Sequence, residues 1–243
     1  MAITEYFIRY LQRRDLLSEA DIACLRAIPT AHVCFRPGEV IVPRGRLATQ
    51  SCMMLRGMAA RQHDLVGRPG ERVITALHVP GDFVDLHGFV LAGLEHDVIS
   101  VGASEVEFVD HAELRQITQN FPHLTRLLWM STVIDAAIHR QWLVAAASLR
   151  SSAHLAHLLC ELYIRLSSVG AAQDHRFTLP LLQKELANIL GYTPIHVNRA
   201  VRDLRADGLI RWTGSEIEIL DWQRLVRLAR FDPEYLDLGR VRR

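Results

Sequence analysis

The chain has 243 residues, of which 49% are hydrophobic and 23% charged, so it can bury one large core or two smaller ones. This composition excludes general disorder. The 28 basic residues nearly balance the 27 acidic ones and leave a formal net charge of +1. Any attraction to nucleic acid or to a membrane surface must therefore come from a local patch.

The N-terminal sequence is not that of a secretory signal, because Glu5 and Arg9 interrupt the apolar stretch that such a segment needs. The uncharged run 127–134 stops at Asp135, which is too short for a membrane span. We therefore expect a cytoplasmic protein with no membrane partner. No C-x-x-C pair is present, so neither a disulfide framework nor a structural zinc site is expected. The four cysteines are Cys24, Cys34, Cys52 and Cys160.

The first third of the chain predicts helices followed by a compact β-roll. Ser18 and Asp21 have the spacing of a helix cap before apolar positions 22, 25 and 28, and Pro29 ends that segment. From about residue 34 to residue 109 the sequence changes to short β-rich runs: EVIV, RVITALHV, DVISV and VEFV. Glycines 7 to 13 residues apart separate these runs, a spacing typical of turns in an antiparallel barrel or jelly roll.

A long helix is predicted from Pro122 to about Ser148, since proline is favoured in a first helical turn. It is apolar on two faces and so needs two partners. One face is a heptad-like seam at positions 124, 127, 131, 134, 138 and 145, and the other contains Trp129, Met130, Val133, Ala137 and Val144. We predict that one face packs on the β-roll. The other, assigned to the seam through Ile134 and Ile138, is predicted to pack on the same helix of a second subunit.

The C-terminal third begins with another helix at about 154–168, followed by a polar linker at 170–175. The predicted domains are a β-roll sensory domain with N-terminal helices at 1–120, a dimerisation helix at 121–149 and a DNA-binding domain at 150–243. His154, His157 and Cys160 recur every three residues on this helix. Polar packing is a commoner role for such residues than metal binding, so no metal site is predicted there.

Residues 183–212 have the spacing of a helix-turn-helix. Gly191 ends the first helix, Thr193 caps the second, and Pro194 occupies its first turn. Two short β-runs follow at 209–212 and 216–219, which predicts a winged helix. Arg199 is the residue expected to read a guanine edge, and Lys184 is expected to contact phosphate. The predicted DNA-binding residues are Gln183, Lys184, Thr193, Pro194, Ile195, His196, Asn198, Arg199 and Arg202.

Two segments, VPGDFVDLHGF at 79–89 and ELANILGYTPIHVNRAVRDLRADGLI at 185–210, resemble the cyclic-AMP-receptor/Fnr-type (Crp/Fnr) bacterial transcription regulators. The resemblance implies an α+β fold with an antiparallel β-roll like the cyclic-nucleotide-binding jelly roll, a long dimerisation helix and a C-terminal winged helix-turn-helix. It also implies a homodimer that binds double-stranded DNA at an inverted-repeat operator and recruits or blocks RNA polymerase. No catalytic residue is predicted.

The chain departs from that family's pattern at several positions. Leu86, Asp97 and Val98 stand where cyclic-AMP-binding members have the ribose glutamate and the phosphate-binding Arg-Ser pair, so cyclic AMP is not the expected effector. The cysteines are too widely spaced for the iron–sulfur cluster of the oxygen-sensing branch. Ile195 replaces a glutamate that commonly reads cytosine, which predicts a different operator.

The sequence identifies neither an effector nor a cofactor. A pocket for a small molecule would lie around Asp85, Leu86, His87, His96 and Asp97. The alternative function is a cupin-like, metal-dependent small-molecule enzyme, which needs a His-x-His pair and a glutamate on neighbouring strands. The histidines of the roll do not have that spacing, which favours a regulator over an enzyme. They are His63, His78, His87 and His96.

Overall fold

The computed structural model describes residues 4–68 and 70–242. The N-terminal part consists of α1 (Thr4–Gln12), α2 (Glu19–Ala27), β1 (Ala31–Phe35), β2 (Val40–Val42), β3 (Gln50–Asp64), β4 (Arg72–His78), a short 3-10 helix (Leu86–Phe89) and β5 (Asp97–Asp110). The remainder consists of α3 (His111–Asn120), α4 (Pro122–Ser148), α5 (Ser151–Ser168), β6 (Arg176–Thr178), α6 (Gln183–Leu190), α7 (Pro194–Ala206), β7 (Ile210–Thr213), β8 (Glu216–Ile219), α8 (Trp222–Ala229) and a 3-10 helix (Pro233–Leu236). This is the α+β architecture that the sequence predicts.

The start of α2 is fixed by the predicted cap. The backbone N–H of Asp21 donates to Ser18 Oγ at 3.1 Å, and the N–H of Ser18 donates to Asp21 Oδ2 at 2.9 Å. These two bonds satisfy donors that the first turn of a helix leaves without partners. The helix ends at Ala27, two residues before Pro29.

The β-roll is one antiparallel sheet in the order β1-β5-β3-β4, with β2 also paired to β5. The long strands β3 and β5 lie at its centre, and Met58 on β3 pairs with Val101 on β5. The predicted runs 97–101 and 106–109 are therefore two halves of one strand, bent at Gly102, whose φ is +68°. Strand β3 was not among the predicted runs.

Two glycines allow close approaches in the roll. A Cβ on Gly57 would lie 2.3 Å from the carbonyl oxygen of Ala103, and one on Gly102 would lie 2.8 Å from Cβ of Pro180. Both residues also have positive φ, which favours glycine. Gly102 thus brings β5 against the segment that leads into α6.

Helix α4 begins at Pro122 and ends at Ser148 as predicted, but the face that was assigned to a second subunit packs within this one. The whole seam at 124, 127, 131, 134, 138 and 145 is buried within the subunit. Ile134 and Ile138 line a small cavity together with Tyr10 of α1 and Phe83 of the roll. The assignment of Ile134 and Ile138 to a dimer seam is therefore wrong, because their face packs on this chain's own α1 and roll.

The other stripe of α4 is largely exposed. Trp129 is 70% exposed, Leu143 is 71% exposed, and Val133 and Val144 are about half exposed, whereas Met130 is buried.

No helix in the described ranges, 4–68 and 70–242, is long and apolar enough to cross a bilayer.

The C-terminal part packs around α5, whose residues are mostly buried between α7 and α8. Its sheet has the order β6-β8-β7. The last segment returns to the N-terminal helices: the backbone N–H of Val241 donates to the carbonyl of Arg14 at 3.1 Å, and Arg14 Nε donates to the carbonyl of Leu236 at 3.2 Å. Arg14 is buried by this contact.

Candidate nucleic-acid interface and roll cleft

Local signals position the two helices of the helix-turn-helix. The N–H of Leu182 donates to Glu185 Oε2 at 2.6 Å where α6 begins, and Gly191, with φ of 70°, ends it. Thr193 then caps α7, because the N–H of His196 donates to Thr193 Oγ1 at 3.4 Å. These are the cap and turn positions that the sequence predicts.

The buried face of this unit fixes which side chains of α7 point outward. Val197, Ala200 and Leu204 are fully buried, and Leu186 of α6 packs in the same core, whereas Val201 is only partly buried. With 3.6 residues per turn, the opposite face of α7 is left to solvent. All the predicted DNA-binding residues are exposed: Gln183, Lys184, Thr193, Pro194, Ile195, His196, Asn198, Arg199 and Arg202.

The arginines of α7 have different surroundings. Arg205 donates through Nη2 to the carbonyl oxygen of Trp212 and so connects α7 to β7. Within the part of the chain that the structure describes, Arg199 and Arg202 form no ion pair with Asp or Glu. Their guanidinium groups are therefore free to bind phosphate or base edges.

The wing is the hairpin of β7 and β8, which turns at Gly214. Arg176 of β6 lies 2.8 Å from Glu218 of β8, and Arg211 of β7 also pairs with Glu218. These ion pairs lower the pKa of Glu218, the hydrogen bond from Arg176 being the largest cause. The predicted runs differ from the strands only in that β7 begins and ends one residue later.

A cleft of about 1020 Å³ lies between the roll, the C-terminal half of α4 and α6. Arg61 and His63 of β3 line one side of the cleft. Trp142 of α4 and Lys184 of α6 line the other sides. None of the five residues proposed from sequence for an effector pocket lines this cleft. Lys184 therefore belongs to two surfaces, the proposed phosphate contact and the cleft.

The five predicted pocket residues are not brought to one cavity. Asp85 and Leu86 are buried, and Asp85 Oδ1 accepts a hydrogen bond from the N–H of Cys52 at 2.7 Å. Burial raises the pKa of Asp85 to about 7. Asp97 instead accepts from the N–H of Arg44 at 2.8 Å, at the surface of the roll. These two carboxylates therefore anchor the backbone of the roll.

His87 and His96 do lie together, with ring centroids 5.5 Å apart. The ring of His63 lies 5.4 Å from that of His96 on another side. Burial lowers the pKa of His96 to about 4, so its imidazole is neutral near pH 7. Sequence spacing could not predict this grouping, because the three histidines come from different elements.

Arg61 connects the roll to α4. Its Nη1 lies 2.9 Å from His139 Nε2, and its Nη2 lies 3.1 Å from Asp135 Oδ2. Burial is the largest single influence and raises the pKa of Asp135, but the charges of Arg61, His78 and His139 together with the hydrogen bond from Arg61 lower it overall. Neither Arg61 nor its partners were predicted as site residues, because no motif contains them.

Helix α5 uses its histidines for packing. His157 contacts the ring of Phe231 edge-on at 5.3 Å and lies parallel to Tyr235. Among the described residues, the structure brings two other sets of three potential metal ligands together: His32, Cys34 and Glu105, and His63, Glu95 and His96.

Comparison with known proteins supports the resemblance. A family model for the Crp-like helix-turn-helix domain matches residues 153–228. The chain is similar to the transcriptional regulatory protein Btr of Bordetella pertussis, with 26% identity over 159 residues that cover 65% of each chain. It is also similar to the transcriptional activator protein FnrA of Stutzerimonas stutzeri, with 27% identity over 66% of this chain and 65% of that one. The matches thus span slightly less than two thirds of the length of these relatives.

The fold is shared with a solved structure, that of FixK2 from Bradyrhizobium japonicum, at a TM-score of 0.73 and 20% identity over 83% of this chain and 98% of that one. Btr and FnrA are transcription regulators, which favours a regulator over the alternative of a cupin-like enzyme. The domain match and the helix-turn-helix of α6 and α7 show that the chain contains a Crp-like helix-turn-helix domain, and these relatives support its resemblance to the Crp/Fnr regulators.

Proposed function

We propose that the protein is a sequence-specific transcription regulator that binds an inverted-repeat operator as a homodimer. The observation that carries this proposal is the exposed face of α7, a helix whose start and buried face are fixed. On that face Arg199 and Arg202 pair with no acidic side chain of the described residues. A recognition helix must present such side chains in the major groove without competing ion pairs.

The chemistry of the face favours particular contacts. Arg199 has the length and the two parallel N–H groups to bind guanine O6 and N7. Ile195, which is 72% exposed, offers only an apolar contact, as to a thymine methyl group. Gln183 and Lys184 lie at the N-terminus of α6, where the helix dipole and free N–H groups favour a phosphate. Base reading is thus assigned to α7 and backbone positioning to α6.

The exposed stripe of α4 is the proposed dimer surface, and a second copy of this chain is its occupant. Positions 129, 133, 136, 140, 143 and 147 alternate spacings of four and three, as in a coiled-coil seam, and all of them except Arg140 are apolar. Trp129 and Val133 also line an apolar groove beside Tyr235. A two-fold axis along α4 presents two copies of α7 to DNA, which an inverted repeat requires.

The domain roles follow from this arrangement. Residues 1–120 are assigned to sensing, 121–149 to dimerisation and 150–243 to DNA binding, with RNA polymerase as the partner that the bound dimer recruits or excludes. The roll cleft is a better location for a small-molecule effector than the five residues proposed from sequence. It is lined by the cations Arg61 and Lys184 and by the apolar surface of Trp142.

Selection from a random duplex library tests the proposal. The full chain should retain sequences with two inverted half-sites centred about 34–36 Å, or a multiple of that distance, apart along the duplex. Arg227 is an exposed arginine on α8, outside the proposed interface, so Arg227→Ala is the matched control for Arg199→Ala. Retained sequences without a common motif, or equal effects of the two variants, would contradict the proposal.

A further inference from the structure

Three side chains meet at one edge of the roll. His63 lies near the end of β3, and Glu95 and His96 lie in the loop before β5. One ligand atom from each lies within 4.8 Å of the others. Glu95 Oε1 is only 3.2 Å from His96 Nδ1, close to the edge of about 3.3 Å in a tetrahedron with metal–ligand bonds near 2.05 Å.

The surroundings of His96 provide an independent observation. Its ring is 1% exposed, and within the described residues neither ring nitrogen has a hydrogen-bond partner. The carboxylate of Glu95 is near Nδ1 but lacks the alignment of a hydrogen bond. A buried polar group without a partner costs about 1–3 kcal/mol, so such a group calls for a ligand. A metal ion bound to Nδ1 would satisfy that nitrogen.

We propose that His63, Glu95 and His96 bind one divalent transition-metal ion, of the zinc or cobalt type, at the edge of the roll cleft. Two imidazoles and one carboxylate suit these ions, whereas magnesium and calcium prefer oxygen ligands alone. The carboxylate also supplies negative charge for the ion, and the charge of Arg61, which lines the same cleft, is paired with Asp135.

A hydrogen-bonding neighbour of one ligand and an opening to the cleft both fit such a site. Thr75 Oγ1 lies 3.1 Å from His63 Nε2 and holds the ring in place. Glu95 is exposed, so its carboxylate can adjust its position beside the buried His96. His63 and Glu95 also line the cleft. The ion would enter from there, and its remaining coordination position would face water or a small ligand in the cleft.

The other set, His32, Cys34 and Glu105, differs in its exposure. His32 and Cys34 are exposed, and His32 Nε2 already lies 3.1 Å from Glu105. This contact is an ordinary surface pair and leaves no buried atom without a partner. The set is therefore a matched control, with the same number of donors but without the buried imidazole.

The test is titration of the full, chelator-treated protein with Co²⁺, followed by optical absorption, and with Zn²⁺, followed by calorimetry. His63→Ala and Glu95→Gln change residues that are not fully buried, so both variants should fold. We expect one ion per subunit in the parent protein. Each variant should bind Co²⁺ at least about 10-fold more weakly, because even the loss of a residue that only hydrogen-bonds to a metal ligand has an effect of that size. His32→Ala should bind it as the parent does.

Three outcomes would overturn the proposal. They are no Co²⁺ or Zn²⁺ bound by the parent protein, unchanged affinity in both His63→Ala and Glu95→Gln, and loss of binding in His32→Ala alone. Circular dichroism of each variant in the presence of chelator separates lost ligands from lost folding. The outcome is independent of operator binding, so the metal site and the proposed function stand or fall separately.

Discussion

The guanidinium of Arg165 on α5 lies 2.6 Å from the carboxylate of Asp82 in the roll, and both side chains are largely buried. Arg165 also lies 3.0 Å from Glu161 and donates to the carbonyl of Leu77 at 2.8 Å. Burial opposes its charge, but Asp82 and Glu161 together raise the pKa of Arg165. Helix α5, the first helix of the Crp-like domain, is thus joined to the PGDF segment of the roll by the buried ion pair between Arg165 and Asp82.

Removing this cation should be much more costly than removing one of its partners. Arg165→Met leaves the buried carboxylates of Asp82 and Glu161 without a cation and should lower the free energy of unfolding by about 3–5 kcal/mol. Asp82→Asn leaves Arg165 paired with Glu161 and should cost about 1–3 kcal/mol. Urea unfolding of both variants at pH 7 measures the difference. Equal losses would show that Glu161 does not share the cation.

Two neighbouring residues of α4 should respond differently to a charge. Val133→Asp places a carboxylate on the exposed stripe, so the chain should fold but dissociate into monomers that bind operator weakly. Ile134→Asp buries an unpaired charge inside the subunit and should reduce folding itself. Sedimentation and circular dichroism together distinguish these results. A dimeric Val133→Asp protein would rule out the proposed surface.

Arg199 and Lys184 should affect DNA binding in different ways. Arg199→Ala should cost about 1–3 kcal/mol and relax the preference for one guanine in each half-site. Lys184→Ala should weaken binding to all sequences about evenly and reduce the dependence on salt by about one ion per subunit. Selected sequences at fixed salt and affinities at several salt concentrations check both. If Arg199→Ala keeps the parent's sequence preference, Arg199 contacts phosphate instead.

The burial of His157 predicts a loss of stability in acid. Burial lowers its pKa to about 4, whereas the unfolded chain has the ordinary value of 6.5. As pH falls from about 6.5 toward 4, the unfolded chain takes up a proton that the folded chain does not, so stability falls. At pH 5 this proton uptake lowers the free energy of unfolding by about 2 kcal/mol. His157→Phe keeps the ring contacts and should be more stable than the parent at pH 5 relative to pH 7.5. Parallel pH curves for the two proteins would contradict this assignment.

Cyclic AMP should leave the melting temperature and operator binding unchanged. Leu86 is buried and cannot accept a ribose hydrogen bond, and Asp97 is a carboxylate that would repel a phosphate. A ligand at 100 times its dissociation constant would stabilise the protein by about 2.7 kcal/mol. A thermal shift of that size on adding the nucleotide would refute the expectation.

Sequence patterns predicted the helix-turn-helix in detail because its signals are local. Gly191, Thr193 and Pro194 each act within a few residues of their own position. The same is true of the Ser18 cap. Strand β3 gave a weak signal because its sequence, QSCMMLRGMAARQHD, has no β-branched residue. It is a strand because it pairs with β4 and β5.

Two features depended on contacts that periodicity does not encode. The heptad pattern of α4 identified two apolar faces but not which of them packs on the roll, so the dimer seam was assigned to the wrong one. The cluster of His63, Glu95 and His96 joins positions more than 30 residues apart along the chain, and only the register of the sheet and the shape of one loop bring them together.

Residues 236–241 pack back against Arg14, and this contact couples the local unfolding of the two ends of the described chain. The carbonyl of Leu236 is the acceptor for a buried guanidinium, and the carbonyl of Arg14 is the acceptor for the N–H of Val241. Opening either end therefore exposes partners of the other, so their backbone amides should exchange with deuterium at similar rates. A truncation that removes the last turn would loosen α1, although 222 residues separate Arg14 from Leu236.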